Sequence, residues 1–187
     1  MKKFELTAEF VTNVFGKKLF RIKALVAFGN IEKGELGGFI EKEDNLSHNG
    51  NAWVYGNAQV YGNAQVSGNA QVSGDARVYD DARVYGNAQV YGNAWVYGNA
   101  QVYGDARVYD DADYAVVKGF GRCFRTTTFF RCKDKILRVQ CGCFYGDLAQ
   151  FREIVKKTHG DSKYAKEYLA IADLMELHFS DECGGEQ

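Results

Sequence analysis

The segment from residue 118 to residue 138 carries the side chains best suited to bind an anion. Seven of its residues are basic and only Asp134 is acidic, and the basic residues are interleaved with Phe120, Phe124, Phe129 and Phe130. Cationic grooves lined by aromatic rings bind phosphates and single-stranded nucleic acid. An ordinary sheet with a charged solvent face and a Phe core explains the same pattern. The residues of the predicted nucleic-acid or phosphate site are Arg122, Arg125, Arg131, Lys133 and Arg138.

Five cysteines in the C-terminal third raise the question of a metal site. They are Cys123, Cys132, Cys141, Cys143 and Cys183. Four thiolates could hold zinc, but the paired Cys-x-x-Cys spacing of zinc knuckles is missing. Gaps of nine residues fit small buried strand side chains, and an odd number of cysteines does not suit a disulfide framework. We therefore predict reduced thiols, no metal and no other cofactor.

The three histidines are the remaining candidates for acid–base chemistry, and none lies in the middle of the chain. They are His48, His159 and His178. His159 stands in a Thr-His-Gly-Asp sequence, which is the only setting among the three that hints at proton transfer. A position at a helix end explains His159 equally well. We predict no catalytic residue.

The middle of the chain repeats every six residues. Alanine occupies every sixth position from Ala52 to Ala112, and valine occupies every sixth from Val54 to Val108 before Tyr114 takes that place. Residues two apart on a strand face the same side, and Gly-Asn or Gly-Asp makes a corner. A helix would lose about 1 kcal/mol at every repeated glycine, and disorder needs no register. The pattern predicts a β-solenoid with an Ala and Val core.

This repeat resembles the hexapeptide-repeat family of left-handed β-helices, in which a small residue follows an aliphatic one by four positions, as Ala58 follows Val54. The resemblance covers Gly50 to Tyr114 and implies three faces, one six-residue repeat to each face, about 3.5 coils and a homo-oligomer, either a trimer or a dimer. The charge pattern alone also allows a coil of two repeats. Many relatives are acyltransferases with a histidine on an extruded loop, and the repeats here have neither feature.

With three repeats per coil, the outward side chains form columns that are largely polar. Asn and Asp occupy the corners without one acid stacking on another, and Trp53 heads one outward column. Like charges do not stack, as a β-ladder requires. One face gathers aromatic side chains with an arginine, which fits a plain ladder, a subunit interface or a partner surface. The predicted partner-binding residues are Tyr61, Arg77, Tyr79, Trp95 and Tyr97.

Residues 1–49 are predicted to cap the first end of the solenoid, since exposed strand edges need covering. An alternating stretch around Asn13–Lys18 predicts a β-hairpin layer. An irregular first coil follows, with Ile40 and Leu46 in the alanine register. The fold class is therefore mainly β: a left-handed parallel β-helix at residues 50–114, this cap, and a small C-terminal module.

The C-terminal module, residues 115–187, loses the six-residue period and is predicted to be α+β. Three strands are expected near 115–118, 122–131 and 135–141, followed by two helices. The first helix should begin with a capping arrangement of Asp147 and Gln150 and end at Gly160.

Three motifs give this module a second resemblance, to phage and prophage proteins of unassigned function. They are Thr126-Thr127-Thr128, Cys141-Gly142-Cys143-Phe144 and Thr158-His159-Gly160-Asp161. The resemblance implies a phage-derived binding protein, for instance an anti-CRISPR-like inhibitor of a bacterial defence nuclease. The expected partner is a bacterial host protein, with nucleic acid as a second candidate. An acyltransferase with its site between subunits is the alternative.

Composition agrees with a protein of the bacterial host cytoplasm. The net charge is −1, so no global excess draws the chain to nucleic acid or to a membrane. No apolar run approaches the roughly 18 residues of a membrane span, and no signal-peptide core follows Met1.

Overall fold

The computed structural model describes residues 1–180. It divides into two compact units, Met1–Asp111 and a second unit that begins at Ala112. Cys183, one of the five cysteines, lies outside the described residues. Among residues 1–180, no helix has the length and apolar character needed to cross a lipid bilayer.

The first unit starts with three strands that cover the beginning of the solenoid. Strands β1 (Phe4–Thr12), β2 (Lys18–Ala24) and β3 (Leu36–Ile40) pair antiparallel in that order. The β1–β2 turn is held by Asn13, whose Oδ1 accepts hydrogen bonds from the backbone N–H groups of Phe15 and Lys17, both at 3.0 Å.

The repeats form ten two-residue strands, each made of one outward residue and one buried valine. Each of the first seven strands pairs in parallel with the strand three repeats further along the chain, for example Gln71 with Gln89 and Val72 with Val90. This register excludes a coil of two repeats. The strands are β4 (Trp53–Val54), β5 (Gln59–Val60), β6 (Gln65–Val66), β7 (Gln71–Val72), β8 (Arg77–Val78), β9 (Arg83–Val84), β10 (Gln89–Val90), β11 (Trp95–Val96), β12 (Gln101–Val102) and β13 (Arg107–Val108).

Three sheets result, and together they make about four turns of a β-solenoid. One has the order β13-β10-β7-β4, the second β12-β9-β6, and the third continues the N-terminal layer as β1-β2-β3-β5-β8-β11. The predicted core is confirmed, because the repeat alanines from Ala52 to Ala106 and valines from Val54 to Val108 are at most 1% exposed. The corners need glycine: Gly74 has φ +71°, and a Cβ there would meet the Gly92 carbonyl of the next coil.

The prediction that Ile40 and Leu46 take the alanine register is wrong. Ile40 pairs with Val60, and Leu46 bridges to Val66, so both side chains continue valine columns. The turn at 47–52 contains two residues more than the equivalent segment at 67–70, which shifts the preceding coil. At the other end the repeat register stops early, because Ala112 is exposed in a 3-10 turn at Asp111–Asp113.

The second unit packs two helices on a four-stranded antiparallel sheet. The strands β14 (Tyr114–Phe120), β15 (Arg125–Arg131), β16 (Leu137–Cys141) and β17 (Phe144–Asp147) lie in sequence order, and β17 is an addition to the three strands predicted. The helices are α1 (Leu148–His159) and α2 (Lys163–His178). Asp147 and Gln150 form the predicted capping box, and Gly160 ends α1 with φ +56°.

Candidate functional site

One outward face of the solenoid carries a run of aromatic rings beside an arginine. We call Arg77, Tyr79, Trp95 and Tyr97 the solenoid flank. The rings of Tyr79 and Tyr97 stack with centroids 5.3 Å apart, and the Arg77 guanidinium lies 4.8 Å from the centroid of the Trp95 ring. Trp95 is 41% exposed and Tyr97 is 49% exposed. Four of the five predicted partner-binding residues are therefore together on one surface.

Tyr61, the fifth predicted partner-binding residue, is not available to a partner. Its ring continues the stack, with its centroid 5.0 Å from that of Tyr79, but it is only 4% exposed. Leu19 and Phe39 of the N-terminal layer pack against it. This burial raises the pKa of the Tyr61 hydroxyl to about 12. Its assignment to the exposed face is a correction, because the N-terminal layer covers the first coil on this side.

Trp53 heads its outward column as predicted, in register with Gln71, but the N-terminal layer buries it. It is fully enclosed, and the rings of Phe4 and Phe28 meet it at centroid distances of 6.4 and 5.3 Å. Lys3 completes this cap: its Nζ donates to the Ala52 carbonyl at 2.8 Å and lies 4.6 Å from the centroid of the Phe28 ring. The N-terminal cap thus covers two aromatic side chains, Tyr61 and Trp53, that a bare solenoid would expose.

The corner columns contain the predicted residues, and the structure shows hydrogen bonds along them. Asn51 donates to Asn69, Asn69 to Asn87 and Asn87 to Asp105, with distances of 3.2, 3.0 and 3.2 Å. Two further columns contain the pairs Asn57–Asp75 and Asn63–Asp81. Side chains that are hydrogen-bonded along a column have less capacity to bind a partner. We therefore interpret the corner columns as structural ladders.

The five basic residues of the predicted anion site do not form one surface. Arg131 pairs with Asp113 at 3.6 Å and donates to the Phe179 carbonyl at 3.0 Å. Arg138 pairs with Asp134 at 2.7 Å, and Lys133 is exposed. These three residues therefore belong to structural contacts or to open surface rather than to a cleft.

Arg122 and Arg125 lie elsewhere, on a pocket of about 340 Å³ within the second unit. We call it the C-terminal pocket. Its polar side is formed by Arg122, Cys123, Arg125, Cys143, Thr158 and His159. Its apolar side is formed by Cys141, Phe144, Phe151, Ile154, Val155 and Tyr168.

The apolar side is built by the packing of α1 and α2 on the sheet. The Phe151 ring meets those of Phe144 and Tyr168 at centroid distances of 5.6 and 5.8 Å, and the His159 ring stacks on Tyr168 at 5.8 Å. Phe151, Val155 and Tyr168 are buried. Aromatic walls of this kind are typical of small-molecule sites.

Two glycines with positive φ shape the polar side. At Gly142, between Cys141 and Cys143, a Cβ would collide with the Arg125 guanidinium, so Arg125 lies directly over this turn. At Gly121 a Cβ would collide with the Tyr168 ring. Burial, reinforced by the Cys141 thiol, raises the pKa of Tyr168 to about 12. The Tyr168 hydroxyl is therefore neutral at physiological pH.

Two of the three sequence motifs contribute residues to the lining of this pocket, and the third contacts one of those residues. Thr127 donates through Oγ1 to Cys141 Sγ at 3.1 Å, while Cys141, Cys143, Thr158 and His159 line the pocket directly. The motifs lie on β15, at the β16–β17 turn and at the end of α1. Residues of two motifs therefore share one pocket, and Thr127 contacts its lining at Cys141.

A comparison with known families finds a match to the solenoid repeats of the first unit. The model of the YdcK beta solenoid repeat matches residues 58–74, 70–86, 76–92, 88–101 and 100–112. Residues 58–112 are a β-solenoid. None of the curated proteins compared with this chain gives a match. The match extends over both coils of the solenoid flank and does not reach the C-terminal pocket.

Three of the four thiols described within residues 1–180, Cys123, Cys141 and Cys143, line the C-terminal pocket. Cys123 and Cys143 are exposed, Cys141 is half-buried and Cys132 is buried. Within residues 1–180, His, Cys, Asp and Glu side chains nowhere gather in threes that could hold a metal ion. Sequence reasoning flagged Arg122, Arg125 and His159 but missed Phe151, Ile154 and Tyr168, which look like ordinary apolar helix residues.

Proposed function

We propose that this chain is a non-enzymatic binding protein that contacts a protein partner through the solenoid flank. The observation that carries the proposal is the exposure of Trp95 and Tyr97 beside Arg77 on one continuous face. Trp, Tyr and Arg dominate the binding energy of protein interfaces, and a stacked aromatic surface of this kind marks such sites.

The backbone under the flank favours binding further. Each flank residue stands on or directly after a strand paired in register with its neighbour, as Arg77 is with Trp95. The Tyr rings hold each other in stacked positions. A partner therefore meets side chains that are already ordered, which lowers the entropy lost on association.

The partner we propose is a bacterial defence nuclease, inhibited in the host cytoplasm by a protein of phage origin. The resemblance of the three C-terminal motifs to phage proteins supports this origin. The hexapeptide resemblance supports a left-handed coil and a trimer. Because the five basic residues are divided between a pocket, structural ion pairs and open surface, a protein partner has more support than nucleic acid. Acyl transfer remains the alternative activity.

The test compares variants that restore the repeat's own residues. Gln is common where Trp95 stands, and Ser occurs where Tyr97 stands, so Trp95→Gln/Tyr97→Ser keeps the solenoid pattern. Purified protein would capture its partner from a bacterial lysate, and calorimetry with the identified nuclease would measure affinity. We expect the double variant to bind on the order of 100-fold more weakly. Tyr109→Ser, which removes another exposed ring outside the flank, should bind like the parent.

Equal binding by the parent and the Trp95→Gln/Tyr97→Ser variant would contradict the proposal. Thermal shifts with acyl-CoA thioesters address the alternative, since stabilisation by these compounds without any nuclease binding would favour an acyltransferase. Sedimentation velocity would show whether the chain is a trimer.

A further inference from the structure

We propose that the C-terminal pocket binds a small anion that carries a flat apolar ring, with Arg122 and Arg125 holding the anionic group. This site shares no residue with the solenoid flank and goes beyond the proposed function. The anionic group is a carboxylate or a phosphate, which an arginine fork recognises in the same way.

Size limits the ligand. A volume of about 340 Å³ lies near the lower end of the roughly 300–1,000 Å³ typical of small-molecule pockets. One ring system with one charged substituent fits this space, whereas a nucleic-acid strand does not. The pocket therefore points to a compact ligand.

Shape favours a ring over a flexible chain. Phe144, Phe151 and Tyr168 present ring faces and edges, with the Phe151 centroid 5.6 and 5.8 Å from the other two, and His159 stacks beside them. Rings pack on such walls in offset or edge-on arrangements. A ring also loses less conformational entropy on binding than an alkyl chain of equal area.

The charged residues that line the pocket indicate that the ligand is negatively charged. No Asp or Glu lines the pocket, and within residues 1–180 neither Arg122 nor Arg125 forms an ion pair. The other three arginines of the second unit, Arg131, Arg138 and Arg152, each pair with a carboxylate. Two arginines left without a carboxylate beside an apolar wall are suited to receive an anion from outside the chain.

Calorimetry with defined probes tests the ligand class. The probes are phenyl phosphate, 2-naphthoate, adenosine 5′-monophosphate, the neutral 2-naphthalenemethanol and inorganic phosphate. We expect at least one ring-bearing anion to bind, and the neutral ring and inorganic phosphate to bind on the order of tenfold more weakly or not at all. The carboxylate and phosphate probes then distinguish the two sources of charge. Equal binding of the neutral ring, or binding of none of the ring anions, would overturn the proposal.

Variants locate the binding in the pocket. Arg125→Gln and Arg122→Gln should each weaken binding on the order of tenfold, while Lys133→Gln removes one charge from an exposed position outside the pocket and should not. Because Arg125 packs over Gly142, Ile154→Trp provides a second variant. Ile154 is 37% exposed, so the larger ring would fill the pocket without disturbing the core. Unchanged affinity in Arg125→Gln and Ile154→Trp would refute the site.

The pocket thiols supply an independent readout in the unmodified chain. Cys123 and Cys143 are exposed on the pocket, whereas Cys132 is buried away from it. Peptide mass mapping would measure how fast anionic iodoacetate and neutral iodoacetamide alkylate Cys143. The ratio of the iodoacetate rate to the iodoacetamide rate should be higher in the parent than in Arg125→Gln. A bound ring anion should slow both reagents at this thiol. An identical reagent ratio in parent and variant, with no protection by any ring anion, would count against the proposal.

Discussion

The two units of this molecule build their interiors in opposite ways. In the solenoid each buried valine stacks on the valine of the next coil, as Val60 does on Val78 and Val78 on Val96. In the second unit the core combines Phe129 of β15, Val139 of β16 and the apolar faces of α1 and α2. The solenoid interior repeats the same valine contact from coil to coil, whereas each contact in the core of the second unit occurs only once.

The difference explains why the two units offer different surfaces. A regular ladder presents parallel columns of outward side chains, so it suits an extended protein contact such as the solenoid flank. A concave pocket needs unlike residues to converge, and only irregular packing brings Arg125, Tyr168 and His159 together. The two tryptophans, Trp53 and Trp95, lie in the first unit, and α1 and α2 lie in the second. Tryptophan fluorescence and helical circular dichroism can therefore follow the units separately.

A charge inside the solenoid should have the largest effect. Val66→Asp places a carboxylate at a position that is 1% exposed, in a column of valines that offers it no partner. We expect the free energy of unfolding to fall by about 4 kcal/mol or more. Urea titration followed by tryptophan fluorescence would measure it.

The matched control for this change is Gln65→Asp on the adjacent outward position. Gln65 is exposed and pairs across the ladder with Arg83, so a carboxylate there meets water and a cation. The expected change is within about 0.5 kcal/mol. Similar losses in both variants would show that Val66 does not face a closed core.

The second unit should be most sensitive where a single contact is tight. Gly121 has φ +70°, and a Cβ there would overlap the Tyr168 ring. Gly121→Ala should lower the free energy of unfolding by about 3 kcal/mol, from backbone strain and displacement of that ring. Gly119→Ala shares the positive φ but has open space around it, so about 1 kcal/mol is expected. Denaturation followed by circular dichroism at the helical band would measure both losses. Equal losses in the two variants would show that the contact with the Tyr168 ring adds nothing to the cost at Gly121.

The sequence predicted the solenoid interior in detail because the six-residue period records which side of the strand each residue faces. It also predicted the Asn ladders once a coil length was assumed. The charges alone left coils of two and of three repeats open, since both lengths keep Arg77 and Arg83 from stacking on their own kind. The hydrogen-bond register decides between them.

What the sequence did not predict depends on contacts between distant segments. The burial of Tyr61 and Trp53 follows from the N-terminal layer, whose position no local pattern reveals. The register of Ile40 follows from an insertion within a turn. The pocket joins residues of β15, β16, β17, α1 and α2, and the unpredicted strand β17 begins at Phe144, the last residue of the Cys141–Phe144 motif.

Lys3 offers a test of how the solenoid is capped. Burial lowers the pKa of Lys3 from 10.5 to about 8, because the low-dielectric site disfavours the ammonium form. Below pH 8 the amine is protonated in both folded and unfolded chains. Between pH 8 and 10 the folded chain has released a proton that the unfolded chain keeps, so the free energy of unfolding should rise with pH, by up to about 2 kcal/mol.

Urea titrations at several pH values, read by tryptophan fluorescence, would detect this rise. Lys3→Met should abolish it, whereas Lys33→Met, at an exposed position of the same unit, should retain it. The measurement stops near pH 10, where tyrosines begin to ionise. Burial raises the pKa of Tyr61, so above that pH its ionisation in the unfolded chain lowers the free energy of unfolding, opposite to the effect of Lys3. A flat profile in the parent would mean that the Lys3 amine is solvated.

The smallest effect is expected in the corner ladders. Asn69 donates to Asn87 and accepts from Asn51, and all three side chains are exposed, so water replaces most of what Asn69→Ala removes. We expect a loss of about 0.5–1 kcal/mol in the free energy of unfolding. Asn93 occupies an equivalent corner, and its side chain makes no hydrogen bond within residues 1–180, so Asn93→Ala should change stability by less than about 0.3 kcal/mol. If the ladder acts cooperatively, Asn69→Ala would lower the free energy of unfolding by more than about 1 kcal/mol. The solenoid would then share the sensitivity to single contacts that we assign to the second unit alone.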